Sequence, residues 1–178
     1  KQKALALGYT DCGIIDIPAY KEFLSEIDRR NELYPHSAFF YNRYKNMTRL
    51  AEEHQWAKSI VVVLFRYDKA YEEPTDVNRY IANYYLTDGR LPYSDEKKTN
   101  NSLTAFMTEE LGLRAMVASH LLPLKWSAVW AGLGKFRKNN LIYTPQGSWN
   151  ALTLWIIGEH LPPEPVVESA VYECPPGC

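Results

Sequence analysis

Between Ala131 and Asn150 the chain runs Ala-Gly-Leu-Gly-Lys-Phe-Arg-Lys-Asn-Asn-Leu-Ile-Tyr-Thr-Pro-Gln-Gly-Ser-Trp-Asn. Two glycines bracket Leu133, and Lys135, Arg137 and Lys138 follow almost at once. Glycine lets backbone approach a ligand with no side chain in the way, and clustered cations recognise phosphate or carboxylate. A sharply packed corner followed by a solvated charged turn would use the same residues. No dinucleotide fingerprint is present, because Arg137 stands at the third glycine's place and a short helix, not a strand, leads in.

Other reactive residues are sparse. His36, His54, His120 and His160 stand far apart, with no metal-ligand spacing among them. His120 follows a predicted strand, where site residues often stand, and a structural histidine fits there equally. No serine–histidine–aspartate order and no paired carboxylates can be read. Cys12 reads as a buried, inert thiol. Cys174-Pro-Pro-Gly-Cys178 is different, since short loops between cysteines gather thiolates around iron–sulfur clusters. The pair has the form of the first piece of such a run, and two thiolates alone cannot hold a 4Fe–4S cluster.

These residues need elements to position them. Asp11 to Ile17 reads as a strand before Pro18, whose fixed φ suits the first turn of a helix with Ala19, Phe23, Leu24 and Ile27 on one face. A Tyr/Phe-rich segment, Ala38 to Tyr44, follows a Pro-His break. Ser59 to Phe65 is a continuous apolar run, expected to form a central strand covered on both faces. Arg79 to Leu86 is tyrosine-rich, and Thr87 to Lys98 reads as a polar loop whose Gly and Pro exclude regular structure. Leu103, Phe106, Met107 and Leu111 form a helical stripe ended by Gly112. Leu113 to Val117 reads as a strand and Trp126 to Trp130 as a short helix stopped by Gly132. Leu141 to Thr144 and Trp149 to Ile157 close the set as strands. Leu161-Pro-Pro-Glu-Pro165 reads as a linker or wrapping arm. Helices alternate with strands, so the class is α/β (α+β), with helices packed on a sheet.

Composition bounds the function classes. At 178 residues, 46% hydrophobic and 23% charged, the chain can bury one sizeable core. The formal net charge of −1 gives no bulk sign of nucleic-acid binding and leaves a local basic patch open. Thirteen tyrosines and five tryptophans suit either a flat-ligand pocket or an aromatic core edge. The longest apolar run is too short to span a bilayer. Lys1-Gln-Lys3 leads into a short Ala/Leu stretch that reads as no signal peptide, so a cytoplasmic protein missing a few starting residues is expected.

The segment Ala131 to Tyr143, followed by Gly147-Ser-Trp and by Ile157-Gly-Glu-His-Leu-Pro-Pro-Glu-Pro165, closely resembles the cobalamin-binding domain of epoxyqueuosine reductases. Reductive dehalogenases share a more distant version. Leu7-Gly-Tyr-Thr-Asp-Cys-Gly-Ile14 is similar to the family's opening. Phe40-Tyr-Asn-Arg-Tyr44, Arg49-Leu50 and Ala57-Lys-Ser-Ile-Val-Val-Val63 are similar to its M-x-Y-L-x-R…A-K-S-V-I-V segment, and Tyr80 to Tyr84 to its I-A-R-Y element. The matches are collinear over nearly the whole chain. The resemblance implies a nitroreductase-like sandwich, a mixed central sheet flanked by helices, over residues 1–165. Residues 166–178 would be a connecting arm and the start of a ferredoxin-like module.

By the same resemblance, Gly132, Leu133, Gly134, Lys138, Asn139, Gly147 and Ser148, with Ala118 and Ser119, would contact base-off cobalamin. Cys174 and Cys178 would be ligands of a 4Fe–4S cluster delivering electrons to cobalt, supplied in turn by an electron-donor protein. The substrate would be a small molecule or modified nucleoside. One departure matters. The family's proton-donating aspartate aligns with Ala118, which has no proton to give. His120, two residues on, would share a face with it if the segment were extended, and is the candidate replacement acid or cobalt ligand. Arg137 at the third glycine is a second departure. Two readings follow: an iron–sulfur, cobalamin-dependent oxidoreductase, or a non-catalytic electron-transfer or corrinoid-binding protein that keeps the fold.

Overall fold

The computed structural model describes residues 1–67, 82–163, 174 and 176. A continuous apolar, β-branched run is most stable in the middle of a sheet, and Ser59–Arg66 (β2) lies there. It pairs with Asp11–Asp16 (β1) on one side and Asn150–Ile157 (β6) on the other. Ala115–Val117 (β3) extends the far edge of β6, giving the order β1-β2-β6-β3. Ser59 to Phe65 are all buried, as expected of a central strand.

Side chains alternate across a strand, so β2 feeds two cores. Ile60, Val62 and Leu64 meet Ile15, Leu154 and Ile156 on one face. Val61, Val63 and Phe65 meet Cys12, Trp155 and Ile157 on the other. Each aliphatic side chain so buried stabilises the fold by roughly 1.5–3 kcal/mol. The first core is roofed by Leu124–Trp130 (α6) and the chain after it. The second is covered by Gln2–Ala6 (α1) and Asp95–Ala105 (α5), which runs on as a π-helical turn, Phe106–Glu110. Lys21–Leu33 (α2) packs on Ala38–Lys45 (α3), and next to α6 the Phe23 ring meets Trp126 edge-on while Tyr20, at the N-cap of α2, lies tilted against Trp130.

The α/β class with helices flanking a central sheet is the one expected. Every described strand pair is antiparallel, where a mixed sheet was expected. An unbroken apolar run marks burial on two faces and carries no information about direction.

Three local expectations are corrected. α2 begins at Lys21, not near Pro18, because Tyr20 at its N-cap takes a left-handed φ of 52°. The polar stretch ending at Lys98 already contains the start of α5: Ser94 Oγ accepts the Lys97 N–H at 3.1 Å, and Asp95 and Glu96 fill the first turn. Lys135–Phe136 (β4) pairs with Ile142–Tyr143 (β5) as a separate hairpin, too short to show as a periodic pattern. Gly112 does end the α5 stripe, with φ of 65°.

Within the tyrosine-rich element, Asn83–Thr87 (α4) is helical, and 79–81 lie outside the described residues. So do Glu164, Pro165, Cys178 and most of the proposed arm and ferredoxin-like start over 166–178. No described helix is long and apolar enough to cross a membrane.

Candidate functional site

The glycine corner begins as a helix ending. Gly132 takes φ of 75°; its N–H donates to the Val129 carbonyl at 2.9 Å, and the Leu133 N–H donates to Ala128 at 3.0 Å. That pair of bonds is a Schellman cap, which needs a residue tolerant of positive φ at this place. The cap drives the helix end onto the sheet. A Cβ on Gly13 of β1 would lie 2.4 Å from the Ala131 carbonyl oxygen, so helix and strand backbones touch there. A Cβ on Gly134 would lie 2.6 Å from Ile142 Cγ2 and 2.7 Å from the Tyr143 carbonyl oxygen. Leu133 and Phe136 go down into the first core. Three of these positions, Gly13, Leu133 and Gly134, thus have packing reasons for their identity. Of the two uses left open for this stretch, the packed corner is present.

The hairpin carries the cations outward. Phe136 and Ile142 are its buried face, against Trp126 at 5.1 Å between the Phe136 and Trp126 rings. Lys135, Arg137, Leu141 and Tyr143 therefore share the outer face. The Arg137 guanidinium lies 4.5 Å from the Tyr143 ring centroid, and its buried Nε has no hydrogen-bond partner. Asn140 takes φ of 59° at the tip. Lys125, reaching from α6, donates to its carbonyl at 2.9 Å. Burial pushes the Lys125 ammonium below its ordinary range. Asn139 donates to the Tyr143 hydroxyl at 2.9 Å and accepts the Leu141 N–H at 3.1 Å, and Lys138 is exposed.

Ala118 and the corner do meet, through buried atoms: Ala118, Ala131, Leu133 and Phe136 belong to one core cluster. Ala118 is 0% exposed and donates its N–H to Leu154 at 2.8 Å. Ser119 Oγ accepts the Leu154 N–H at 3.0 Å. The Leu121 N–H then donates to the Ala118 carbonyl at 2.9 Å, so the chain turns at Ser119 and His120. The extended run that would place Ala118 and His120 on one face is absent, and His120 is exposed. Gly147, at φ of 103°, closes a tight turn by exchanging bonds of 3.0 Å with Thr144, and Ser148 is half-buried beside it. Cys174 is half-buried and in no disulfide.

On the other side of the sheet lies a polar network that sequence reading missed. Glu96, buried on α5, accepts the Gly89 N–H at 2.9 Å and the Thr153 hydroxyl at 3.3 Å. Asn100 donates to Thr153 at 3.2 Å and accepts the Tyr9 hydroxyl at 2.5 Å. Burial, opposed by these bonds, holds the Glu96 carboxyl above its usual range, and burial raises the Tyr9 phenol. The buried Asp88 carboxylate pairs with Arg90, which holds it below its usual range. A recess of about 530 Å³ opens nearby, lined by Leu7, Thr10, Phe65, Arg66, Asp95 and Lys98 among others. None of the candidate cofactor, metal or catalytic residues read from sequence lines it. Ser94 before an acidic turn was the available signal for α5, and Gly13 inside a strand was the signal for close backbone approach. Nothing in sequence marked Glu96.

No protein-family model matches the chain, and no curated protein matches it in sequence. Solved structures do. Epoxyqueuosine reductase from Bacillus subtilis, captured with its catalytic loop swung out of the active site, superposes with a TM-score of 0.65 at 17% identity, over 98% of this chain and 48% of that one. An epoxyqueuosine reductase holding an epoxyqueuosine-modified tRNA-Tyr stem loop gives 0.61 at 18% identity, over 94% and 46%. The Streptococcus thermophilus enzyme gives 0.61 at 17% identity, over 94% and 47%. The chain spans about half the length of these structures and shares the fold of the part it spans.

Proposed function

We propose that the chain is the corrin-binding part of a reductase of the epoxyqueuosine reductase type, with a modified nucleoside as its substrate class. The observation that carries this reading is the fold likeness running through 98% of the chain. In this reading a corrin would lie along one rim. Gly132, Lys138, Asn139 and His120 are exposed and Ser148 half-exposed, so backbone, a cation and an amide are open to a large ligand. Ala118, Leu133 and Gly134 are buried and would support that rim from beneath, and the Ser119 hydroxyl is engaged with Leu154. A corrin held there supplies low-potential reducing chemistry. The chain's own part is to present backbone at Gly132 and charge at Lys138, and to hold a proton at His120, the titratable group of the turn that follows Ala118.

Iron–sulfur ligation is proposed on the cysteine spacing alone. Among the described residues no group of three potential ligands stands together, and Cys174 with Cys178 makes two thiolates where a cluster takes four. Further thiolates would complete the site, and no step is derived through it. A second reading is favoured by one observation: an alanine, fully buried, stands where the family's acid aligns. In that reading the domain holds a corrinoid or a partner and turns nothing over.

Incubation of the intact protein with hydroxocobalamin, followed by gel filtration, tests the first claim. The corrin absorption bands are expected to co-elute with protein. Their absence would remove the first reading and the corrinoid form of the second, leaving only partner binding. Anaerobic reconstitution with iron and sulfide tests the second claim. Bound iron that is lost in Cys174→Ser supports it, and no bound iron overturns it.

A further inference from the structure

The whole-chain charge of −1 hides a segregation. Between Leu111 and Gly158 lie five of the twenty lysines and arginines and none of the twenty-one acids. Four of those five, Lys125, Lys135, Arg137 and Lys138, belong to the β4–β5 hairpin or touch its tip.

We propose that the outer face of this hairpin, with Lys125 at its tip, is a binding surface for the phosphate group of a phosphate-bearing ligand. Arg137 and Lys138 would be its principal contacts. This assignment does not depend on corrin binding. Three features of the hairpin support it. Among the described residues none of Lys125, Arg137 and Lys138 forms an ion pair, whereas Arg29, Arg30, Lys45 and Arg90 elsewhere all do. Two of the cations bear a cost without a ligand. The Arg137 Nε–H is buried with no acceptor, an exception to the rule that buried donors are satisfied, and Lys125 is partly desolvated. A phosphate on the outer face would give Lys125 a counter-charge and would offer the Arg137 Nε–H an acceptor once the guanidinium turns out toward it.

The third feature is rigidity. The Arg137 guanidinium sits over the Tyr143 ring, Tyr143 is held by Asn139, and Phe136 and Ile142 anchor the hairpin in the core. A guanidinium whose position is fixed in advance loses less entropy on gripping a phosphate. The exposed Leu141 on the same face offers apolar contact to whatever carries the phosphate.

The phosphate could belong to a small molecule or to a polynucleotide backbone, and two probes separate them. Inorganic pyrophosphate is titrated calorimetrically into the intact protein, and a labelled single-stranded oligonucleotide is titrated by fluorescence anisotropy at several salt concentrations. Arg137→Gln/Lys138→Gln is expected to weaken the operative probe about tenfold or more, with an unchanged melting curve. The control Lys21→Gln/Lys97→Gln, matched in charge and outside the segment, is expected to leave affinity within about twofold. Pyrophosphate binding lost in the first variant supports the surface and a small-molecule source. Oligonucleotide binding alone, with a salt slope that falls by about one per lost contact, supports it with a backbone source. Binding of neither probe overturns the proposal, as does equal loss in both variants.

Discussion

The two faces of the central sheet are built on different principles. On the face of Val62 and Leu154, contact is made by shape. α6 ends in a glycine cap, its last carbonyl rests on Gly13, and Gly134 lets the hairpin close on Ile142. Polar bonding there is slight, the pair between Tyr20 and Ser127 at 2.8 Å being the main buried case. On the face of Val63 and Trp155, contact is made by hydrogen bonds. Glu96, Asn100, Thr153 and Tyr9 form one network, and the Trp155 Nε1–H donates to Thr104 at 2.9 Å. The shape-built face fixes backbone positions closely and leaves the outward side of its hairpin free to carry charge. The bonded face ties a loop and a helix together through groups that titrate.

The largest effect tests what both faces share. Val62→Asp places an unpaired carboxylate at a position 0% exposed, a cost of several kcal/mol against a total stability of about 5–15 kcal/mol. The variant is expected to be unfolded or insoluble by circular dichroism and gel filtration. A native melting curve would mean that β2 is not central.

Next comes a substitution aimed at shape alone. Gly13→Ala adds one methyl group where the nearest atom is a backbone oxygen at 2.4 Å and the next is Ala131 Cβ at 2.7 Å. Backbone cannot rotate away as a long side chain can, so the cost should reach or exceed the ~1–3 kcal/mol usual for overpacking. A melting temperature lower by roughly 2–4 °C per kcal/mol is expected. Gly112→Ala, where a Cβ would have open space and only the positive φ objects, is the comparison and should cost less. Equal losses would deny that the helix end and β1 are in contact.

How far sequence anticipates each face follows from the kind of contact. Hydrophobic period marked β2 and β6, and glycine punctuation marked the ends of α5 and α6, since both are local consequences of local residues. Strand direction was not legible, nor was the contact of Gly13 with Ala131, because each depends on residues far apart in the chain. Glu96 looked like one of several charges in a polar stretch. Its burial comes from Gly89, Thr153 and Asn100, and two of these lie beyond the reach of any helical pattern that Glu96 belongs to. Of the candidate site, the corner was legible and the orientation of His120 was not. One backbone bond, from Leu121 to Ala118, turns the chain at Ser119 and His120.

The bonded face should respond to pH where the shape-built face does not. The ordinary carboxyl value for Glu96 is 4.5, and burial raises it in the fold. A carboxyl whose folded pKa exceeds its unfolded one holds its proton more tightly when folded. Its contribution to stability is therefore present below the unfolded value and is lost as pH rises through the raised one. Asp88 runs the other way: Arg90 lowers it, so its contribution is lost as pH falls, and it is small because Arg90 is largely exposed. Glu96→Gln keeps an acceptor and removes the titration. Melting temperature measured upward from pH about 4.5 should fall for the wild type relative to this variant. Near pH 4.5, Glu96→Ala should cost ~1–3 kcal/mol, since it leaves the Gly89 N–H and the Thr153 hydroxyl with a partner missing. The same slope in wild type and Glu96→Gln would move the titration elsewhere.

The smallest effect on stability, and the sharpest on function, is expected at His120. It lies on neither core and makes none of the described hydrogen bonds, so His120→Ala should melt within about 0.5 kcal/mol of the wild type, as surface changes usually do. That neutrality makes it a clean probe of the proposed corrin rim, because Ala118 and Ser119 beside it cannot be changed without disturbing the core or the bond to Leu154. If His120 supplies a proton, corrin uptake and its spectrum should be unchanged in His120→Ala, while turnover falls about 100-fold or more, the ordinary contribution of a positioned acid. If it ligates cobalt instead, the spectrum of the bound corrin should shift and uptake should weaken. If rate, spectrum and uptake all match the wild type, the turn after Ala118 has no part in the chemistry, and the exposed hairpin with Arg137 and Lys138 is left as the functional edge of the shape-built face.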